Sequence, residues 1–216
     1  MGNSMNLISH SVNSESSQIA SAAPSALFAM SEFNIPKIQP SRPLGLPYNL
    51  TKEDEVLKTK HRVIIQNTLP KRKVYEPIRR AVLFALQRHN APHGELVITL
   101  APSDEVRRLN SQFRQQDNVT DVLTFPGPEF DPTTLGDVVV NWDVAVYQAQ
   151  KRRVKPVEEA AMLAVHGTLH LVGFDDHTPN EQDQMIAAMN AVMKAVGLPT
   201  DESWMSVPYE EYEHIG

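Results

Sequence analysis

The segment from Pro156 to Gly173 constrains this chain more than any other. Pro156 suits the first turn of a helix, Glu158 and Glu159 follow where the helix dipole favours acids, and Gly173 offers a stop after a pattern that runs through Leu171. His166 and His170 stand four apart in that helix, so their imidazoles project from one face on successive turns and can converge on one ion. Gly173 lets the chain reverse and return a third ligand from Asp175-Asp176-His177 to the same face. Three of the eight histidines fall within the twelve residues from His166 to His177, and that clustering favours a metal site over unrelated surface histidines.

The chain has no cysteine, so a thiolate site, a disulfide framework and a cysteine nucleophile are excluded, and any metal must be held by His, Asp or Glu. Three such ligands with an open position for water form the arrangement of a zinc hydrolase, because the metal lowers the pKa of the water. Counting from His170, the sixth position is Asp176 and the seventh is His177, and either can serve as the third ligand. The one not used would sit beside the ligands or in the substrate cleft. A peptidase of the H-E-x-x-H kind needs a glutamate directly after the first histidine, and Gly167 stands there.

The rest of the chain divides into three parts. Residues 1–60 are serine-rich and then carry Pro36, Pro40, Pro43 and Pro47 without sustained periodicity, which reads as a mobile or loosely docked arm. No Lys or Arg precedes Lys37, so a secretory signal is not expected and the default compartment is the cytoplasm. Residues 61–200 carry the periodic elements. Strands are expected at 62–67, 96–100, 122–125 and 137–140, with helices opening at Pro77, Ser103 and Asp143, where Ser103 and Asp143 are candidate N-caps. A last helix follows Asn180, its Met185, Ala188, Met189, Val192 and Met193 on one face, and Gly197 ends it. The helices do not recur as regular βαβ units, so the class is α+β, a small mixed sheet packed with helices. Residues 201–216 hold five acids and read as an acidic tail. That tail accounts for most of the formal charge of −6, and no apolar run approaches the length of a membrane span.

A second informative stretch runs from Leu109 to Pro126. Arg114 lies just past the apolar face of the helix, where its guanidinium either clamps a phosphate bidentately or pairs with Asp117 or Asp121. Lys71-Arg72-Lys73, Arg79-Arg80, Arg107-Arg108 and Lys151-Arg152-Arg153 either gather as an RNA-binding face or form solvated helix ends.

At these residues the chain resembles the YbeY family of bacterial metal-dependent endoribonucleases. Three blocks carry the resemblance, in the family's order: Leu109-Asn110 through Phe113-Arg114 to Thr120-Asp121-Val122-Leu123-Thr124-Phe125-Pro126, then Leu135-Gly136-Asp137-Val138-Val139, then His166-Gly167-x-Leu169-His170-Leu171-x-Gly173-Phe174-Asp175. The resemblance implies a zincin-like metal helix, one zinc held by three histidines, and a functional arginine at Arg114. It also implies 3′-end maturation of small-subunit rRNA, with ribosome quality control. Here an extra aspartate moves His177 one place beyond the family's third histidine, so either a bulge restores His177 or Asp176 replaces it.

The expected function is a cytoplasmic zinc endoribonuclease with His166, His170 and His177 or Asp176 as ligands. Arg114 stabilises charge on the phosphate, and the base is Asp175, Asp176 or the substrate itself. Its partners would be small-subunit rRNA and the ribosome or ribosomal proteins, with neither DNA nor membrane expected. The alternatives are a ribosome-associated RNA-binding factor with a structural metal, and a metal-dependent hydrolase of small molecules or peptides.

Overall fold

The computed structural model describes residues 61–69 and 75–205. The expected arm, the run Lys71-Arg72-Lys73 and residues 206–216 of the expected tail lie outside the described residues. Within them the chain runs β1 (His61–Asn67), α1 (Glu76–Arg88), β2 (Gly94–Ala101), α2 (Ser103–Arg114), β3 (Val122–Pro126), β4 (Thr134–Asn141), α3 (Trp142–Arg152), α4 (Pro156–Leu171) and α5 (Pro179–Ala195).

The four strands form one mixed sheet in the order β1-β2-β4-β3, parallel except for the β3–β4 pair. This bears out the mixed sheet expected from sequence, though β1-α1-β2 is itself a βαβ unit. Alternation along the strands divides the apolar side chains between two layers. Leu96, Ile98, Leu100, Val122, Val138 and Val140 join the larger core with α1, α4 and α5, whereas Leu123, Phe125 and Val139 face Val106 and Leu109 of α2.

Helix α4 lies inside the larger core, with eleven consecutive buried residues from Glu159 to Leu169. A helix that is apolar nearly all round is stable only when covered on every side. Gly167 sets its distance from the sheet, because a Cβ there would fall 2.6 Å from Val138 Cγ1 and 3.0 Å from Val122 Cγ2.

Four helix starts differ from expectation, α1 by beginning at Glu76, one residue before Pro77. Pro102, not Ser103, is the N-cap of α2, and Ser103 Oγ donates instead to Asn141 Oδ1 at 3.1 Å. Asn141, not Asp143, caps α3, accepting from the backbone N–H groups of Asp143 and Val144. The Asp143 carboxylate accepts the Ser103 N–H at 2.8 Å, so it satisfies the first turn of the neighbouring helix. Helix α5 begins one residue before Asn180, capped by Thr178 in a box with Glu181.

Among the described residues, several of the basic groups considered for an RNA face are engaged within the protein. Arg79 donates to the Val63 carbonyl, Arg80 to the Val196 carbonyl, Arg107 pairs with Asp117, and Arg152 pairs with Glu159 and Asp201. Within the segment read as an acidic tail, Trp204 is buried against the larger core.

Candidate metal centre

His166 and His170 lie on the same face of α4, as their spacing requires, with Nε2 atoms 3.1 Å apart. The helix closes on Val172 and Gly173, where Gly173 takes φ 96°, a left-handed conformation that favours glycine. The reversal lets the Phe174 N–H reach the Leu169 carbonyl at 3.0 Å and turns the Phe174 carbonyl towards His170 Nδ1 at 3.1 Å. With Nδ1–H donating there, the His170 Nε2 lone pair faces the site.

The same reversal brings Asp176 to the histidines. Its Oδ2 lies 3.6 Å from His166 Nε2 and 3.8 Å from His170 Nε2. A zinc ion with bonds of about 2.0–2.1 Å spaces tetrahedral ligand atoms about 3.3–3.4 Å apart. The observed triangle of 3.1, 3.6 and 3.8 Å is close to one face of such a tetrahedron. The two-imidazole, one-carboxylate set therefore fits a divalent ion in both donor chemistry and spacing.

His177 is placed differently. Its side chain is 83% exposed and its Nε2 lies 3.3 Å from Asp175 Oδ1, which makes an imidazole–carboxylate pair beside the cluster. Asp175, Asp176 and His177 also lie close together, on the solvent side.

The environment keeps His166 neutral. Burial pulls its pKa from 6.5 down to about 4; the Asp121 carboxylate opposes that shift, His170 reinforces it and Asp176 opposes it. The Nε2 lone pair is thus available near pH 7. His166 Nδ1 is buried and finds no hydrogen-bond partner among the described residues.

Arg114 ends α2, exposed, before the left-handed Gln115. Asp117, one of its two candidate ion-pair partners, is taken by Arg107 in a two-pronged contact at 2.7 and 3.0 Å. Among the described residues no hydrogen bond or ion pair engages Arg114 or joins it to the histidines. The structure thus gathers His166, His170 and Asp176, sets Asp175 and His177 beside them, and leaves the Arg114 guanidinium available.

The missing peptidase glutamate has a steric cause. Position 167 faces Val138, Val122 and Thr124 of the sheet, so no side chain there could reach a substrate. Sequence reasoning missed Trp204, whose ring centroid lies 4.9 Å from that of His166.

A family profile described as Endoribonuclease YbeY matches residues 58–197. A Staphylococcus epidermidis protein named Endoribonuclease YbeY is 32% identical over 135 residues, covering 57% of this chain and 87% of its own. One of the same name from Azorhizobium caulinodans is 36% identical over 123 residues, covering 55% and 77%. The solution structure of TM1509 from Thermotoga maritima aligns with a TM-score of 0.47 and 26% identity, over 62% of this chain and 88% of that one.

Proposed function

The chain belongs to the YbeY endoribonuclease family, and from that premise we propose that it is a zinc-dependent endoribonuclease specific for single-stranded RNA. Its task is maturation of the 3′ end of small-subunit (16S) rRNA, with a part in ribosome quality control, acting in the cytoplasm in contact with the ribosome. The observation that carries the reading is the triangle of His166 Nε2, His170 Nε2 and Asp176 Oδ2 at the C-terminal end of α4. No helix of the described residues is long and apolar enough to cross a membrane.

His166, His170 and Asp176 would hold one zinc ion per chain, leaving His177 with Asp175. When bound, the ion supplies Lewis acidity towards a phosphoryl oxygen and towards water. The remaining work falls to side chains. Arg114 grips the scissile phosphate through its planar fork and stabilises the charge that develops in the transition state. Asp175, exposed and paired with His177, accepts the proton of the attacking group. Gly167 contributes by its size, since it seats α4 on the sheet and so fixes where His166 and His170 emerge.

The test is cleavage of single-stranded and rRNA-derived RNA by zinc-loaded protein beside a folded His166→Ala protein purified identically. Loss of cleavage in the folded variant supports a catalytic metal centre. Equal cleavage by both points to a contaminating nuclease, and none by either favours an RNA-binding factor or an activity that needs the ribosome. End-group analysis then separates the two nucleophiles, because attack by the ribose 2′-hydroxyl leaves a cyclic phosphate and attack by water does not.

A further inference from the structure

His170 and His166 are held in different ways. His170 is anchored by a hydrogen bond from Nδ1 to the Phe174 carbonyl, the usual way a ligating imidazole is fixed. His166 lacks that anchor, since its buried Nδ1 has no partner among the described residues. An imidazole without one can rotate about its Cβ–Cγ bond and turn its lone pair away from the ion. Its orientation then depends on what packs around it, the nearby Asp121 carboxylate included. Two rings meet it: His170, edge-on at 4.5 Å, and the indole of Trp204 at 4.9 Å and 45°.

We propose that Trp204 is a positioning residue for His166, the indole holding the imidazole with Nε2 directed at His170 and Asp176. The inference rests on the metal-centre reading above. The Trp204 side chain is itself locked. It is 5% exposed, and its Nε1–H donates to Glu159 Oε1 at 3.4 Å, two turns before His166 on α4. The indole therefore spans one stripe of that helix, bonded at one end and in ring contact at the other.

The turn that delivers it is tied to three elements. Asp201 Oδ2 accepts from Arg152 Nε at 2.9 Å, and its backbone N–H and carbonyl both bond the Asn190 amide at 2.8 Å. Asp201 Oδ1 accepts from the backbone N–H and hydroxyl of Ser203 at 2.9 and 2.8 Å. Arg152 also pairs with Glu159, which closes a ring of contacts through Asp201, Trp204 and Glu159. Of this device, Asp201, Ser203 and Trp204 lie past residue 197, where the family match ends.

The test compares Trp204→Ala with Trp204→Phe, in the full chain. Both lose the bond to Glu159, but only the phenylalanine keeps a flat ring against His166. Zinc affinity is read by chelator competition, and ligand geometry by the visible spectrum of the cobalt-substituted protein. Trp204→Ala is expected to bind zinc about 10- to 100-fold more weakly with an altered cobalt spectrum, and Trp204→Phe to stay within about threefold of the parent. Unchanged affinity and spectrum in Trp204→Ala overturn the proposal, as does an equal loss in Trp204→Phe, which would assign the effect to the Glu159 bond. If Trp204→Ala fails to fold, Trp204→Leu takes its place: a tenfold or greater loss supports the proposal and parent-like affinity overturns it. A His166→Ala protein separates the two levels of inference. If it binds zinc as tightly as the parent, the metal-centre reading fails and takes the proposal with it; if it does not, parent-like Trp204→Ala defeats the proposal alone.

Discussion

Replacing Gly167 by alanine tests how closely α4 is seated on the sheet. The added methyl would lie 2.6 Å from Val138 Cγ1, where apolar carbons settle about 3.5–4.0 Å apart, an overlap of about 1 Å. Val138 cannot retreat, because it is fully buried on a central strand paired on both sides, and Val122 Cγ2 at 3.0 Å blocks a second direction. Forcing a methyl into such a contact costs about 1–3 kcal/mol, while the change from glycine returns about 1 kcal/mol of helix propensity. The overlap is severe and doubled, so a net loss of about 1–2 kcal/mol is expected, a drop in Tm of roughly 2–8 °C for a domain of this size. Thermal and urea unfolding of chelator-treated parent and Gly167→Ala, followed by circular dichroism, measures it. A variant as stable as the parent, or more so, would show that propensity wins and that the helix does not press on the sheet as described. Gly167→Glu, which writes H-E-x-x-H into the chain, should lose the fold rather than gain peptidase activity, since the carboxylate would enter an apolar contact.

Arg114→Ala should lower RNA cleavage with a Tm within about 1 °C of the parent, as surface changes away from special contacts have small effects; a large drop in Tm would make the guanidinium a structural element. Asp176→Ala should weaken zinc binding beyond the roughly 10- to 100-fold typical of an outer partner, and His177→Ala should change it by less than about threefold; the reverse order would make His177 the third ligand. The pH dependence of the metal-free protein has a definite sign. Between about 4 and 6.5 the unfolded chain takes up a proton that folded His166 refuses, so stability is fully present above 6.5 and falls as pH drops towards 4. The loss is on the order of 3 kcal/mol, and denaturant unfolding at pH 7.5 and 5, beside His166→Asn, would miss the expected difference if the imidazole titrates normally.

Much of this was legible in the chain because it is local. The bounds of α4 follow from Pro156 and Gly173, and the convergence of His166 and His170 from helical spacing alone. The caps were misplaced because their partners come from elsewhere: Asn141 belongs to the end of β4, and Asp143 serves α2, forty residues away. Asp176 and His177 are both acceptable ligands on adjacent residues, and only the path of the turn after Gly173 separates them. Trp204 carried no signal in the sequence, because its position depends on Arg152, Glu159 and Asn190, contacts that no periodicity encodes.

The candidate ligands come from parts of the molecule that open on different scales. His166 sits within the buried run of α4, whose amides should exchange with solvent only when the whole domain unfolds. Asp176 sits in the short connection between α4 and α5, partly exposed and outside any helix or strand. Local opening of that connection removes one ligand while leaving two in place. An ion bound there would therefore come and go at the pace of the 173–178 turn, and its exchange rate would be set independently of the stability of the fold that binds it.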